Sequence, residues 1–357
     1  MHDGGGLLPY TQKQRVGACV KKAIKAWLEL ILKRQGLAIV PRGILYDWQS
    51  DAQTTPPRYS QSRLPEGAAD YLTQNNPKLL ELQERYKRAD PDVTVPAVWG
   101  DGYVRSDDIA YFRGDNGWVW QVRGRNTNIL SYALSTYYLK SIDHLGLFGK
   151  LPEDGHFGNF TFDIDNRLIS RDLLDSISET LFLDRHLGIA ARADLNLLDI
   201  GAGYGRLAHR MTTALPNVRN YFCTDAVAAS TFVSDYYLRF RGAERAHVIP
   251  LDEIEETLAG QRVDLAFNIH SFSECRLEAI AWWAKLLAKH RVKHLMVVPN
   301  DVTETPGQLL TNKDENYLPL LERQGYRLLV SEPKYADPVV QAYGIKPHWY
   351  HLLELKA

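Results

Sequence analysis

The sequence predicts an α/β protein whose second half is a doubly wound, mostly parallel sheet and whose first half is mostly helical and loop-rich. Three observations predict it. From residue 195 onward, short continuous apolar runs alternate with helical segments, the pattern of strands buried on both faces. One of these runs passes straight into a glycine loop and then a helix. The last two runs are joined by "PKYADPVVQAYGIKP", which reads as a loop without a helix, so the closing strands are expected to be antiparallel neighbours.

A chain of 357 residues is long enough for one large or two modest domains. Its 45% hydrophobic and 24% charged residues suit a globular core, and a formal net charge of −1 gives no footprint for a nucleic-acid partner. Cys19, Cys223 and Cys275 share no metal-ligand or redox spacing and read as thiols in a reducing compartment. "MHDGGGLLPY" lacks the basic start and apolar run of a leader. Residues 16–35 are interrupted by Lys21, Lys22, Lys25, Glu29 and Lys33 and cannot span a bilayer. A cytoplasmic enzyme with no membrane partner is expected.

Val16, Val20, Ile24, Trp27 and Ile31 recur at helical spacing, an apolar stripe that would pack on this chain or on a second copy in a homodimer. Residues 41–66 read as a wrapping loop. "NNPKLLELQERYKRAD" reads as a short helix with Pro77 in its first turn. "VWGDGYVRSDDIAYFRGDNGWVWQVRGRN" suggests short irregular strands or substrate-side loops, "NILSYALSTYYLKSIDHLG" a helix closed by Gly146, and "EDGHFGNFTFDIDN" a polar loop. The texture changes near residue 168. Residues 1–168 are expected to form a substrate-covering and dimerising domain, and residues 169–357 the sheet domain. The latter opens on "SRDLLDSISETLFLDRHLG", a helix running from a Ser or Asp cap to Gly188.

"LLDIGAGYGRLA" carries Asp199, Gly201, Gly203, Tyr204 and Gly205 between a strand and a helix. Glycines there permit a tight turn and a close backbone approach to a ligand. Asp225 closes the next strand, where a carboxylate can accept both hydroxyls of a ribose. Arg206 stands where a dinucleotide fingerprint would need its third glycine, which disfavours an NAD-dependent oxidoreductase.

Together, "LLDIGAGYGRLA", "YFCTDA", "VIPLDEIE" and "VDLAFNIHSFSE" resemble the class I S-adenosylmethionine-dependent methyltransferases over residues 170–357. The resemblance implies a seven-stranded Rossmann-like methyltransferase sheet with an antiparallel last strand, and S-adenosyl-L-methionine as cofactor. It implies a cofactor loop at Gly201, Gly203 and Gly205, the acidic residue of the first motif at Asp199, the ribose acid at Asp225, and an adenine boundary at Leu251 and Asp252. More narrowly, "SRDLLDSISETLFL", "TDAVAASTF", "YYLRFRG" and "NIHSFSE" resemble the sugar O-methyltransferases of natural-product and polysaccharide gene clusters, which implies a sugar or glycoside as the small-molecule acceptor.

"NIHSFSE" leaves its strand at the edge where ligands bind in such sheets. A hydroxyl is a weak nucleophile until a base takes its proton, and His270 and Glu274 are the candidates, one as base and the other orienting it. Asn268 is a candidate for positioning the cofactor or acceptor, Arg171 for pairing with the cofactor carboxylate, and Tyr204 for presenting its ring to the cofactor's cationic end. Ser170 and Asp172 flank Arg171 at the helix start. Asp107, Asp108, Asn300 and Asp301 are possible oxygen ligands, but the strand end carries His270 rather than paired carboxylates, so a metal-independent reaction is expected. The aromatics and carboxylates of "EDGHFGNFTFD" and "FRGDNGWVW" suit sugar recognition, and Trp282–Trp283 read as packing. N-methylation of an amino sugar, methylation of an aglycone and a non-catalytic cofactor-binding scaffold remain alternatives.

Overall fold

The computed structural model describes residues 27–28, 31–32 and 63–356, except 101, 122–126 and 301–306. The chain divides into two compact units, residues 1–50 and 51–357. In the first unit the four described residues are helical; most of the expected amphipathic stripe, Cys19 and nearly all of the 41–66 loop lie outside the described residues, as does Asp301.

In the second unit, α1 (Pro77–Tyr86) begins on Asn76, whose side chain accepts from the Lys78 N–H, with proline in the first turn as expected. Among the described residues of 95–127 there is one short helix, Ser106–Ala110, and otherwise turns. Helix α2 (Ile129–Ile142) ends four residues before Gly146. The Asp143 carboxylate accepts from the N–H groups of Leu147 and Phe148, so it caps the next turn and stops this one. A hairpin, β1 (Phe162–Ile164) and β2 (Arg167–Ile169), leads into α3 (Arg171–Leu187). Ser170 caps α3 at the Leu173 N–H, and Gly188 ends it in the left-handed region at φ 60°.

Seven strands follow: β3 (Leu195–Ile200), β4 (Val218–Thr224), β5 (Ala246–Val248), β6 (Leu265–Ile269), β7 (His294–Val298), β8 (Tyr326–Pro333) and β9 (Trp349–Leu355). They form one sheet in the order β5-β4-β3-β6-β7-β9-β8. The pairings from β5 to β7 are parallel, and β9 runs antiparallel to both neighbours. The intervening helices are α4 (Arg206–Ala214), α5 (Ala228–Phe240), α6 (Ile254–Ala259), α7 (Leu277–Lys289) and α8 (Leu318–Arg323). Strands grow outward from β3 in one direction and from β6 in the other. Right-handed crossovers then place α4 and α5 on one face and α7 on the other. The buried strands read as apolar runs because both faces are covered: Leu195, Leu197, Leu198 and Ile200 are each 1% exposed or less.

A second expectation fails here, after the Gly146 helix end. The segment before β9 holds a short helix, α9 (Pro338–Tyr343), begun by Asp337, whose carboxylate accepts from the N–H groups of Val339 and Val340. Its flanking Pro and Gly residues disguise it as loop. No helix among the described residues is long and apolar enough to cross a membrane.

Candidate active site

A cavity of about 1000 Å³ opens at the carboxyl ends of β3, β4 and β6. This is the point where the strand order reverses, which leaves a crevice between diverging loops. Asp199, Gly201, Gly203, Tyr204, Arg206, Asp225, His270 and Glu274 line its sheet side, and Arg171 reaches it from α3.

Two glycines of the loop are dictated by geometry. Gly201 has φ 72°, and a Cβ there would meet the Ser271 Oγ at 2.3 Å. Gly205 has φ 84°, starts α4, and would place a Cβ 2.9 Å from the Ser234 Oγ. The loop is thus clamped between the turn after β6 and α5. Asp225 fastens it: its carboxylate accepts from the Gly203 N–H at 3.1 Å and the Val227 N–H at 2.8 Å. Burial nevertheless pushes Asp225 up to about 7. Asp199 accepts from the Tyr221 hydroxyl at 3.0 Å, and burial raises it to about 7 as well.

Arg206 shows why the dinucleotide spacing is absent. Its guanidinium grips Glu179 with bonds of 2.8 and 2.9 Å and donates to the Ser176 hydroxyl at 2.8 Å, tying α4 to α3. Arg171 donates to Asp175 at 3.0 Å and to the Trp120 carbonyl at 2.9 Å. Tyr204 is buried between Phe112 and Tyr237, each 5.2 Å away between ring centroids, and its hydroxyl donates to Asp172.

The turn after β6 is a 3-10 helix, Ser271–Glu274, with His270 just before it at φ 68°. Asn268 builds this turn from beneath: its amide donates to the Ile200 carbonyl at 3.0 Å, and its oxygen accepts from the Phe272 N–H at 2.7 Å. It is fully buried and does not line the cavity. His270 and Glu274 both face the cavity, but no hydrogen bond joins them. The Glu274 carboxylate accepts from the Trp99 indole at 2.6 Å and from the Asn300 amide at 3.4 Å, and burial raises its pKa. The His270 ring lies 4.4 Å from that of His348. Burial, helped by Arg171 and Arg206, lowers His270 to about 3 against the pull of Asp175, so it is neutral at pH 7.

Leu251 and Asp252 lie away from the cavity lining. Tyr86 of α1 takes their place: its hydroxyl accepts from the Leu251 N–H at 3.0 Å and bonds Thr231 at 2.8 Å, while Arg85 holds Asp252. Sequence reasoning missed Tyr86 and did not single out Trp99; Trp118 falls in a stretch read as suited to sugar recognition, and Trp283, read as packing, lines the cavity too. Trp118 donates to the Ser230 hydroxyl at 2.9 Å and its ring lies 5.9 Å from that of Trp99. No signal short of three-dimensional pairing ties Tyr86 or Trp99 to the sheet. Ser170 caps α3 and reaches Glu153; Asp108 binds the Arg105 backbone at 3.0 Å; Asp107 belongs to the same short helix. Among the described residues no three His, Cys, Asp or Glu side chains converge as metal ligands.

No family model matches the chain, and no curated protein matches it. Among solved structures it is similar to the mitomycin 7-O-methyltransferase MmcR (TM-score 0.35, 19% identity, 51% of this chain and 57% of that one). It is also similar to an S-adenosylmethionine-dependent methyltransferase from Clostridium acetobutylicum ATCC 824 (0.38, 11%, 51% and 92%) and to the cyclase SpnF (0.37, 14%, 65% and 96%). The fold rests on the strand order, and the chemistry on the side chains that meet at the strand ends.

Proposed function

We propose that the cavity binds S-adenosyl-L-methionine and that the protein transfers its methyl group to a hydroxyl of a sugar or glycosylated metabolite. One observation carries the reading: the clamped glycine loop and Asp225 share a single cavity with His270, Glu274 and the Trp99–Trp118 pair. The residues fit the cofactor. Gly203 leaves the loop backbone open to a ligand, with only Trp118 near where a Cβ would stand, at 3.5 Å. Asp225 spends one lone pair of each oxygen on a backbone N–H and keeps others for ribose hydroxyls. Arg171 retains N–H groups for a carboxylate beyond the two bonds described.

When bound, the cofactor supplies an electrophilic methyl group on a sulfonium. The chain's own part is to hold the acceptor oxygen in line and to take its proton. His270, neutral at pH 7, is the base; Glu274, anchored by Trp99, orients the acceptor. Trp99 and Trp118 offer apolar faces for sugar C–H groups. So much aromatic lining favours a glycoside with an apolar body over a free monosaccharide. Residues 63–120 supply much of the acceptor wall, which supports a substrate-covering role for the first part of the chain.

Calorimetric titration with S-adenosylmethionine and, separately, NAD tests the reading. The expected result is a Kd of roughly micromolar order for S-adenosylmethionine, weakened at least about tenfold by Asp225→Ala, and no NAD binding. Preference for NAD, or no S-adenosylmethionine binding, sinks it.

A further inference from the structure

The closing strand brings a second imidazole against His270. Because β9 runs antiparallel to β7, its start lies at the same edge where β6 ends. His348 directly precedes β9. Its backbone is pinned on both sides, its N–H donating to the Lys346 carbonyl and its carbonyl accepting from the Lys334 N–H, each at 2.9 Å. Its side chain is 8% exposed, and neither ring nitrogen has a hydrogen-bond partner. The facing His270 also has a buried, unpartnered Nδ1. Three unsatisfied imidazole nitrogens across a ring separation of 4.4 Å are an unusual concentration in a well-ordered interior.

We propose that His348 is the positioning partner of His270, the two imidazoles forming one unit that holds a single proton between them, directly or through one water. The charges around the pair are mixed. Arg171 and Arg206 face His270, and Arg171 and Lys334 face His348; Asp175, already bound by Arg171 and Lys334, is the opposing charge near both. A lone imidazole so placed is a weak base. A second ring able to accept the hydrogen of the first stabilises the imidazolium as it forms. In the methyl-transfer step, the acceptor oxygen forms the new C–O bond as the S–C bond breaks and the sulfide leaves. The hydroxyl proton passes to His270, and His348 accepts the hydrogen bond of the resulting cation. This catalytic half rests on the function proposed above; the pairing of the two rings does not.

The test uses the full chain with ¹⁵N-labelled histidine and the variants His348→Phe and His348→Gln. Imidazole ¹⁵N spectra at neutral pH report the tautomer and hydrogen bonding of His270 without any substrate. His348→Phe is expected to change the His270 nitrogen shifts by far more than a ring-current effect, and His348→Gln, whose amide can accept, to restore most of the wild-type pattern. In turnover, His348→Phe should lower kcat roughly 10- to 100-fold with the KM for S-adenosylmethionine unchanged, and His348→Gln should recover part of the loss. Unchanged His270 nitrogen shifts in a folded His348→Phe protein overturn the pairing. A wild-type protein that shows the pairing but binds no S-adenosylmethionine overturns only the methyl-transfer reading.

Discussion

His270 is a non-glycine residue held in the left-handed region, a conformation that costs energy unless the surroundings impose it. Its N–H bond to the Val298 carbonyl at 2.7 Å fixes the backbone, and the Asn268 staple fixes the turn after it. This economy of motion suits a base that must meet one acceptor oxygen. With His270 lowered to about 3, its protonation should cause no loss of function near the 6.5 of a free imidazole, and activity should hold down to the onset of acid unfolding. His270→Ala is expected to lower kcat about 10²- to 10⁴-fold with S-adenosylmethionine affinity retained, and Glu274→Gln to cost less. A pH–rate profile and single-turnover kinetics check both; a larger loss in Glu274→Gln would move the base to the carboxylate. Both residues were singled out from "NIHSFSE", and the structure sets both on the cavity wall. No hydrogen bond joins the two: the segment winds as a 3-10 turn, Glu274 accepts from the Trp99 indole, and the His270 ring packs against that of His348.

At the scale of elements, the loop between β3 and α4 carries the proposed cofactor site. Gly201→Ala would force a Cβ to within 2.3 Å of the Ser271 Oγ at a φ of 72°. The left-handed penalty alone is about 1–2 kcal/mol, and the clash adds to it. Thermal melts should show that loss, and calorimetry a weakened cofactor; Ser271→Gly in the same chain should recover part of the melting temperature by removing the clashing atoms. No recovery would mean that backbone strain, not contact with Ser271, governs the position. At this scale the sequence was read well where period and cap agree: β3, α3 with Ser170 and Gly188, and the antiparallel final strand. It was read poorly where capping residues double as loop residues. Asp337–Pro338 starts α9 inside what looked like a loop, and Asp143 ends α2 before Gly146.

At the scale of the 51–357 unit, the segments before β1 are fastened to the sheet's helices by charge as well as by apolar contact. Arg113, Glu153 and Arg210 form a fully buried chain of ion pairs, 2.7 Å at each link, between the loop after the Ser106–Ala110 helix, the loop before β1 and helix α4. Burial alone would raise Glu153, but the two guanidiniums hold it down at about 2. A carboxylate depressed in the folded state contributes stability that is whole above its unfolded pKa and is lost as pH falls through its folded one. Acid unfolding is therefore expected between about pH 4.5 and pH 2. Glu153→Gln, which leaves two buried cations short of a charge, should cost about 3–5 kcal/mol at pH 7 and flatten that acid transition in denaturant titrations followed across pH. None of this network could be read from the sequence. Its members sit 40 and 57 residues apart, and nothing local distinguishes Arg113 from a surface arginine.

The bond between Trp99 and Glu274 has one more consequence. An indole whose N–H is held 2.6 Å from a carboxylate emits differently from one that faces water or an apolar ligand. Trp99 is therefore a built-in optical gauge of the acceptor side of the cavity. Its signal can be isolated from the other seven tryptophans by the difference between wild type and Trp99→Phe. An unknown acceptor can thus be sought by light, compound by compound, before any product has been identified.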